Sequence, residues 1–526
     1  MADTTQHQYS ILWADDEIDL LKPHLLFLER KGYGVTTAMS GRDALDMCAT
    51  RHFDLIILDE NMPGLTGLET LAAIKQSQPH IPVIMITKSE EENIMNQAVG
   101  NKIADYLIKP VNPNQILIAL KKHLHSDRLV SETAAADYRH EFGRLSMAIN
   151  DASGISDWMD LYRRLVFWEM ELADTATDMH SMLEMQMSEA NSAFNKYIRR
   201  NYEHWILPDG TIDSGNADIP LLSPRVLPSK VFPMLRGGDK VFFILIDNFR
   251  LDQWLAVKPI LAEMFTFDED LYTSILPTAT QYARNAVFSG LMPAQIAKMF
   301  PELWVDEESE EGKNVNESAL VQTMLQRYRL PYKFSYNKIN DSVAGEKLLR
   351  DFTNLFHNDL NIIVLNFIDM LSHARTESKM IRELASTNAA YRSLTRSWFR
   401  HTTVIEMFRD IAAAGYKIVL TTDHGTIRVN NPVKVVGDKN TNTNLRYKVG
   451  KNLGYNLRQV YEIKQPARFG LPSPNVSSTY VFAGGRDFFA YPNNYNHYVA
   501  YYTDTFQHGG ISMEEMLVPL ITLTPR

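Results

Sequence analysis

Hydrophobic positions along this chain follow two rhythms that divide it into regions. From residue 10 to 124, β-branched runs (ILWADD, VTTAM, LIILDENMPG, PVIMIT, ADYLIKP) alternate with amphipathic stretches such as LLKPHLLFLERKG and ILIALKKHL. That alternation predicts a parallel sheet covered on both faces. Between 125 and 205 the period lengthens to about 3.6 residues. Met179, Leu183, Met187, Ala190, Phe194 and Ile198 recur at three- and four-residue steps, as on one face of a helix. Breaks at NDASG and ADTAT divide this stretch into three helices, predicting a three-helix bundle with the methionines in its core. Residues 206–239 are rich in Pro, Gly, Asp and Ser and predict an extended connector without regular structure. From 240 to 526 strand and helix alternation returns. VFFILID, NIIVLNFID and YKIVLTTDHG each end an apolar run in an aspartate, as expected of central strands buried on both faces.

Composition narrows the class. The 526 residues, 45% hydrophobic and 22% charged, suit a soluble globular chain of several domains. The longest apolar runs are strand-sized, short of the roughly 20 residues a membrane helix needs, so no membrane insertion is expected. MADTTQHQYS has neither a basic nor an apolar leader region, so no secretory signal is expected. Cys48 is the only cysteine, which excludes an intrachain disulfide and suits a reducing cytoplasm. The net charge of −10 argues against broad binding to duplex DNA. No helix in the middle region is rich in the Arg, Asn and Gln of a base-reading element.

In open parallel sheets, ligands bind beyond the carboxyl ends of the strands. In the first region five polar residues fall at those ends: Asp15 and Asp16, Asp59, Thr87 and Lys109. Carboxylates gathered there repel one another until a hard cation relieves them. Asp15, Asp16, Asp59 and the carbonyl of Asn61 are the predicted oxygen donors to Mg2+. Asp59 would attack a phosphoryl donor, with Lys109 balancing the charge and the Thr87 hydroxyl bonding the product. ADDE, LDENMPG, MIT and YLIKP resemble the motifs of a response-regulator receiver domain, with every chemical position matched.

The last region gathers Asp247, Asp369, His373, Asp423, His424 and His508 at or just beyond apolar runs. Oxygen and imidazole donors without thiolate suit Zn2+ or Mn2+ in a catalytic rather than a structural site. A metal pair about 4 Å apart would assist both the attacking and the departing oxygen of a phosphoryl transfer. Thr280, before the helix-like YARNAVFSG, is the candidate nucleophile, with Thr278 as the competing choice. Ser512 and Glu515 form a capping-box pattern after His508. Taken singly, each Asp or His reads as a cap or a satisfied core residue, and His180, His357 and His401 keep that reading.

This motif order resembles the alkaline phosphatase superfamily, and within it the PglZ branch. The resemblance implies two Zn2+, with Mn2+ as the variant: Asp369, His373 and His508 on one metal, and Asp247, Asp423, His424 and a bridging Thr280 on the other. A threonine with no obvious arginine clamp beside it is more similar to the superfamily's phosphodiesterases than to its monoesterases. Between 434 and 468, Lys434, Lys439, Arg446, Lys448, Lys451, Arg458, Lys464 and Arg468 interleave with Tyr447, Tyr455 and Tyr461. That pattern fits a nucleotide or oligonucleotide substrate as well as a solvated inserted loop.

The whole chain resembles the PorX-type response regulators associated with type IX secretion in Bacteroidetes. The implied fold is α/β multidomain: a flavodoxin-like receiver at 1–124, a three-helix bundle at 125–205, the connector at 206–239, and an alkaline-phosphatase-like α/β domain at 240–526. The resemblance further implies a cytoplasmic protein phosphorylated on Asp59 by a sensor histidine kinase, forming a homodimer on phosphorylation. An alternative sigma factor or a type IX secretion component is the implied partner. A rival reading makes the last domain a metal-stabilised module that grips such a partner, with incidental hydrolysis.

Overall fold

A computed structural model describes residues 9–88, 103–173, 179–213, 218–306, 314–385, 387–437, 441–473, 475 and 477–526. The chain forms two compact units, Met1–Ala134 and Ala135–Arg526. In the first, β1 (Tyr9–Ala14), β2 (Tyr33–Ala38), β3 (Leu55–Asp59), β4 (Val83–Thr87) and β5 (Asp105–Ile108) form one parallel sheet in the order β2-β1-β3-β4-β5. Alternate residues serve opposite faces. Leu12, Ala14, Ile56 and Leu58 join one apolar cluster, while Ile11, Trp13, Leu55 and Ile57 join the other. This two-sided burial explains the unbroken apolar runs. Among the described residues, helices α1 (Lys22–Arg30), α2 (Gly41–Thr50), α3 (Gly67–Ser77) and α4 (Pro113–Leu124) belong to this flavodoxin-like unit. A Thr66–Glu69 capping box starts α3 just after the Asp59 loop.

The second unit begins within helix α5 (Ser126–Asp151) and continues with α6 (Ile155–Glu171) and α7 (Met179–Asn201). The predicted stripe of α7 is largely its buried face: Leu183, Met187, Ala190, Phe194 and Ile198 all lie inside. Two polar residues also lie inside. Gln186 accepts from Tyr138 Oη at 2.7 Å and donates to the Phe142 carbonyl at 2.9 Å. The bundle packs on the α/β domain that follows. Arg392 donates to Glu169 of α6 at 2.8 Å and to Asp252 at 3.1 Å, and Asp252 is also held by Arg250.

The expected connector differs from the prediction over its second half. A 3-10 turn at Ser223–Arg225, a π turn at Leu227–Val231 and a short helix at Phe232–Arg236 replace an extended path. Leu222, Val226, Leu227, Val231, Phe232 and Leu235 are buried there. Their apolar contacts outweigh the extended preference of the intervening prolines. Beyond them lies a six-stranded mixed sheet. Its four parallel strands are β10 (Lys417–Thr421), β6 (Val241–Ile246), β9 (Leu360–Leu365) and β8 (Phe334–Ile339), in that order. The antiparallel strand Leu517–Pro525 joins β10 to β7 (Phe265–Thr273) at the edge. Among the described residues no helix is long and apolar enough to cross a membrane.

Candidate functional site

The carboxyl ends of β6, β9 and β10 deliver the predicted residues to one place. Asp247 follows β6 directly, Asp423 lies two residues past β10, and Asp369 and His373 share one face of α8 (Phe367–Glu377), which begins just after β9. The final loop brings in His508. Ligand-type atoms of Asp369, His373 and His508 lie within 4.8 Å of one another, as do those of Asp247, Asp423 and His424. The His424 and His508 rings stack at 4.2 Å between centroids, so the two groups abut. Thr280 is the first residue of α9 (Thr280–Ser289), and its Oγ1 lies 3.1 Å from His424 Nε2.

Hydrogen bonds set the imidazole tautomers. His424 Nδ1 lies 3.1 Å from the Gly425 carbonyl, and His508 Nδ1 lies 3.2 Å from the Thr278 carbonyl. A carbonyl only accepts, so each Nδ1 donates to it, which leaves Nε2 as the ring atom available to a ligand. Burial, with His424 adding repulsion, pushes the His508 pKa down to about 3 and keeps that ring neutral. Thr278 Oγ1 is already engaged, donating to the Gly510 carbonyl at 2.8 Å and accepting from Gly509 N at 3.1 Å. It braces the His508 loop. Gly425 is required beside His424, because a Cβ there would meet the Glu514 carbonyl at 2.0 Å.

Charge is unevenly balanced among the carboxylates. Burial raises the pKa of Asp247 well above the usual carboxylate value despite Arg284, and Asp423 and Asp369 add repulsion. Burial also opposes ionisation of Asp423, but Arg284 and His424 hold its pKa below the ordinary value. Asp369 is likewise lowered: burial opposes, and His373, His508 and His424 outweigh it. Asp247 Oδ1 is buried without a hydrogen-bond partner, 3.8 Å from His424 Nε2. A divalent cation satisfies such an oxygen, and the available Nε2 atoms supply nitrogen donors beside it. The residues present therefore fit the metals that the donor set implied.

Two functional residues escaped the sequence analysis. Arg284, one turn after Thr280 and fully buried, donates from Nε to Asp423 Oδ2 at 3.0 Å and pairs through Nη2 with Asp247 Oδ2. Its Nη1 lies 3.5 Å from Glu317 Oε1 and 3.4 Å from Asn366 Oδ1. The guanidinium orients the carboxylates rather than facing a substrate. Asn248, with φ 62°, donates to Asp369 Oδ1 at 3.3 Å and so ties the two groups together. The Asp-Asn step after an apolar run was the available signal for it. For Arg284 there was none beyond its i+4 spacing from Thr280.

The basic segment needs correction. Arg446 is fully buried, donating to Glu515 from Nε at 3.1 Å and from Nη2 at 2.6 Å. Lys448 is buried on the Asn442 carbonyl at 2.7 Å. Both serve the packing of this region, so the run is not one solvated strip; Lys439 lies outside the described residues. The Ser512–Glu515 cap is present, with Glu515 N donating to Ser512 Oγ at 3.2 Å. The Glu515 carboxylate additionally accepts from Gly510 N at 2.9 Å, tying Arg446 to the His508 loop.

In the receiver, Asp15, Asp16 and Asp59 place carboxylate oxygens within 4.8 Å of one another. Lys109 Nζ lies 2.9 Å from Asp15 and 2.8 Å from Asp59. Burial raises the pKa of Asp59 against the lowering effect of Lys109, with Asp15 adding repulsion. Such an excess of negative charge is what a hard cation relieves. Thr87, fully buried, ends the neighbouring strand β4, and Asn61 follows two residues after Asp59.

Comparisons with known proteins agree with this layout. The family described as the response regulator receiver domain matches residues 11–121, and the PorX response regulator linker domain matches 128–206. The transcriptional regulatory protein ZraR of Escherichia coli O157:H7 is 32% identical over 139 residues, covering 26% of this chain and 32% of that protein. The alkaline phosphatase synthesis transcriptional regulatory protein PhoP of Bacillus subtilis is 29% identical over 175 residues, covering 33% of this chain and 70% of that protein. This chain thus spans about a third of the length of ZraR. Among solved structures, the chemotaxis protein CheY4 of Vibrio cholerae is 34% identical, covering 22% of this chain and 98% of that one, with a TM-score of 0.21. The BREX system PglZ alkaline phosphatase-like domain matches residues 226–523, more than half of the 526. The chain therefore belongs to the PglZ alkaline phosphatase-like family, with a receiver domain and a PorX-type linker ahead of that domain.

Proposed function

We propose that the C-terminal domain is a metal-dependent phosphodiesterase with Thr280 as nucleophile, acting on nucleotide or oligonucleotide diesters under control of phosphorylation at Asp59. The observation that carries this reading is Thr280 Oγ1 at the start of α9, 3.1 Å from His424 Nε2, which itself lies 3.8 Å from the unpartnered Asp247 Oδ1. Zn2+ or Mn2+ held by Asp369, His373 and His508, and by Asp247, Asp423, His424 and Thr280, would supply Lewis-acid stabilisation of the phosphate oxygens. The Thr280 oxygen bonds to phosphorus as the bond to the leaving group breaks. The threonine proton is released, and the departing alkoxide takes a proton from water. In the second half, a water oxygen displaces Thr280 from phosphorus and the alcohol is restored. Thr280 stands at the N-terminus of α9, the helix end that favours the negative charge of a transferring group. Arg284 keeps the carboxylates aimed throughout.

A receiver domain implies a sensor kinase partner. For the coupling, the supporting contact lies in the linker. Asn191 of α7 donates to Glu514 at 2.9 Å and accepts from Met513 N at 2.8 Å. That segment follows the His508 loop, and the Glu515 carbonyl accepts from Gly425 N beside His424 at 3.1 Å. A shift of α7 would therefore reach both histidines. The PorX-type domain order supports control of type IX secretion in the cytoplasm, with phosphorylation-driven homodimerisation and a sigma factor or secretion component downstream.

Hydrolysis of bis-p-nitrophenyl phosphate tests the reaction. Thr280→Val is expected to lower kcat by more than ~10³-fold, and a chelator to abolish turnover of the wild type. Equal rates for wild type and Thr280→Val would reject the threonine mechanism and leave the partner-binding reading of the domain.

A further inference from the structure

Beside the site, at the carboxyl ends of β8 and β9, lies a cavity of about 410 Å³ that no step of the mechanism uses. That volume is in the range of small-molecule sites. Its apolar wall is Ile339 and Leu365, the last residues of the two strands, with Phe367 and Trp398. The Phe367 and Trp398 rings lie parallel, 4.7 Å apart with planes 5° from coplanar, and both remain partly exposed. Phe367 begins α8, two residues before Asp369. Asn366 stands between cavity and metal site. Its Oδ1 accepts from Arg284, and its Nδ2 donates at 2.6 Å to Asn340 Oδ1 on the cavity wall.

The rim defines what fits. Asp341 and Glu346 line the opening, which disfavours a phosphate there. A flat aromatic shelf suits a planar ring, and the side chains of Asn340, Thr402 and Thr403 offer donors and acceptors to a heteroatom edge. We infer that this cavity is the base subsite of the diester substrate: a nucleobase stacks on Trp398 while its phosphate lies at Thr280. The inference rests on the phosphodiesterase reading and specifies its substrate class. Recognition is by ring stacking with little sequence preference, because every base presents a π-face. The acidic rim and the metal site divide the nucleotide by charge.

Two measurements on the full chain test it separately from catalysis. In the first, saturation-transfer NMR follows adenosine, which carries no phosphate, on wild type and Trp398→Ala without added metal. Binding to wild type that is lost in Trp398→Ala and retained in Trp398→Phe is expected. In the second, kcat/KM for thymidine 5′-(p-nitrophenyl phosphate) is divided by that for methyl p-nitrophenyl phosphate. Trp398→Ala should lower this ratio ~10-fold, and Trp398→Phe should restore most of it. Ser342→Phe, which fills the cavity from its exposed rim, should lower the ratio as well. Adenosine binding unaffected by Trp398→Ala, or a ratio unchanged in both Trp398→Ala and Ser342→Phe, would overturn the subsite. If neither ester is hydrolysed by wild type, the phosphodiesterase reading fails while the adenosine measurement still decides the cavity.

Discussion

The receiver pocket and the PglZ-family site solve one electrostatic problem in two ways. Each gathers carboxylates at the carboxyl edge of parallel strands, where apolar runs end and the sheet opens. In the receiver the protein's own compensation is Lys109, a point charge on a flexible stem whose side chain is 13% exposed. In the second site it is Arg284, a rigid fork with a side chain 1% exposed, held between Asp247, Asp423 and Glu317. A lysine moves readily as charge arrives and leaves, which suits a switch. A buried fork sets carboxylate orientation permanently, which suits turnover. The proposed nucleophiles differ accordingly: in the receiver a carboxylate, Asp59, and in the hydrolase an alcohol, Thr280, that depends on its surroundings for activation.

Substitutions that remove each half of this contrast should have graded effects. Asp59→Ala is expected to abolish formation of an acid-labile phosphoprotein from acetyl phosphate and Mg2+, measured by phosphate-affinity electrophoresis. If the PglZ-family site retains its own chemistry, hydrolysis of bis-p-nitrophenyl phosphate will persist in that variant but lose its response to acetyl phosphate. Retention of the response would break the coupling. Next in size, Arg284→Gln leaves buried carboxylates unpaired and should cost ~3–5 kcal/mol in denaturant unfolding of the metal-free protein. Its metal affinity should fall ~10–100-fold, as when an outer partner of metal ligands is lost. Titration with Zn2+ followed by calorimetry reads this directly, and an unchanged affinity would deny Arg284 an orienting role. The smallest effect is expected for Asn191→Leu, which removes the Asn191 bonds to Met513 N and to the half-buried Glu514 and should cost ~1–3 kcal/mol. If α7 carries the signal, this variant will also weaken the response of hydrolysis to acetyl phosphate, with less effect on the unstimulated rate.

Much of the site was legible because its chemistry sits where secondary structure changes. Asp247, Asp369 and Asp423 each follow a near-continuous apolar run, and His373 stands one turn from Asp369, so the local pattern places them on one sheet edge. Arg284 was not legible for a specific reason. Amphipathic reading assumes one wet face, but every residue of α9 after Thr280 is buried, and a polar residue in such a helix gives no periodic sign of its partner. Arg446 misled for the same reason in reverse. Charge in a run of basic residues reads as solvated, whereas Glu515, sixty-nine positions away, draws this one inside. The segment at 222–236 misled because prolines announce a break in regular structure while saying nothing about burial.

The sequence by itself determined the alternation of elements, the acidic cluster at the receiver's strand ends, and the set of oxygen and imidazole side chains at the strand ends of the last domain, since these follow from local periodicity and from residues where apolar runs stop. Only the tertiary structure decided which oxygen of Asp247 lacks a partner, that Thr278 braces a loop while Thr280 faces His424, and that the linker helix grips the segment beside His508. These depend on atoms brought together from positions tens to hundreds of residues apart. Periodicity along a chain records which face of an element is apolar, but the partner that face or charge meets is set by packing in three dimensions.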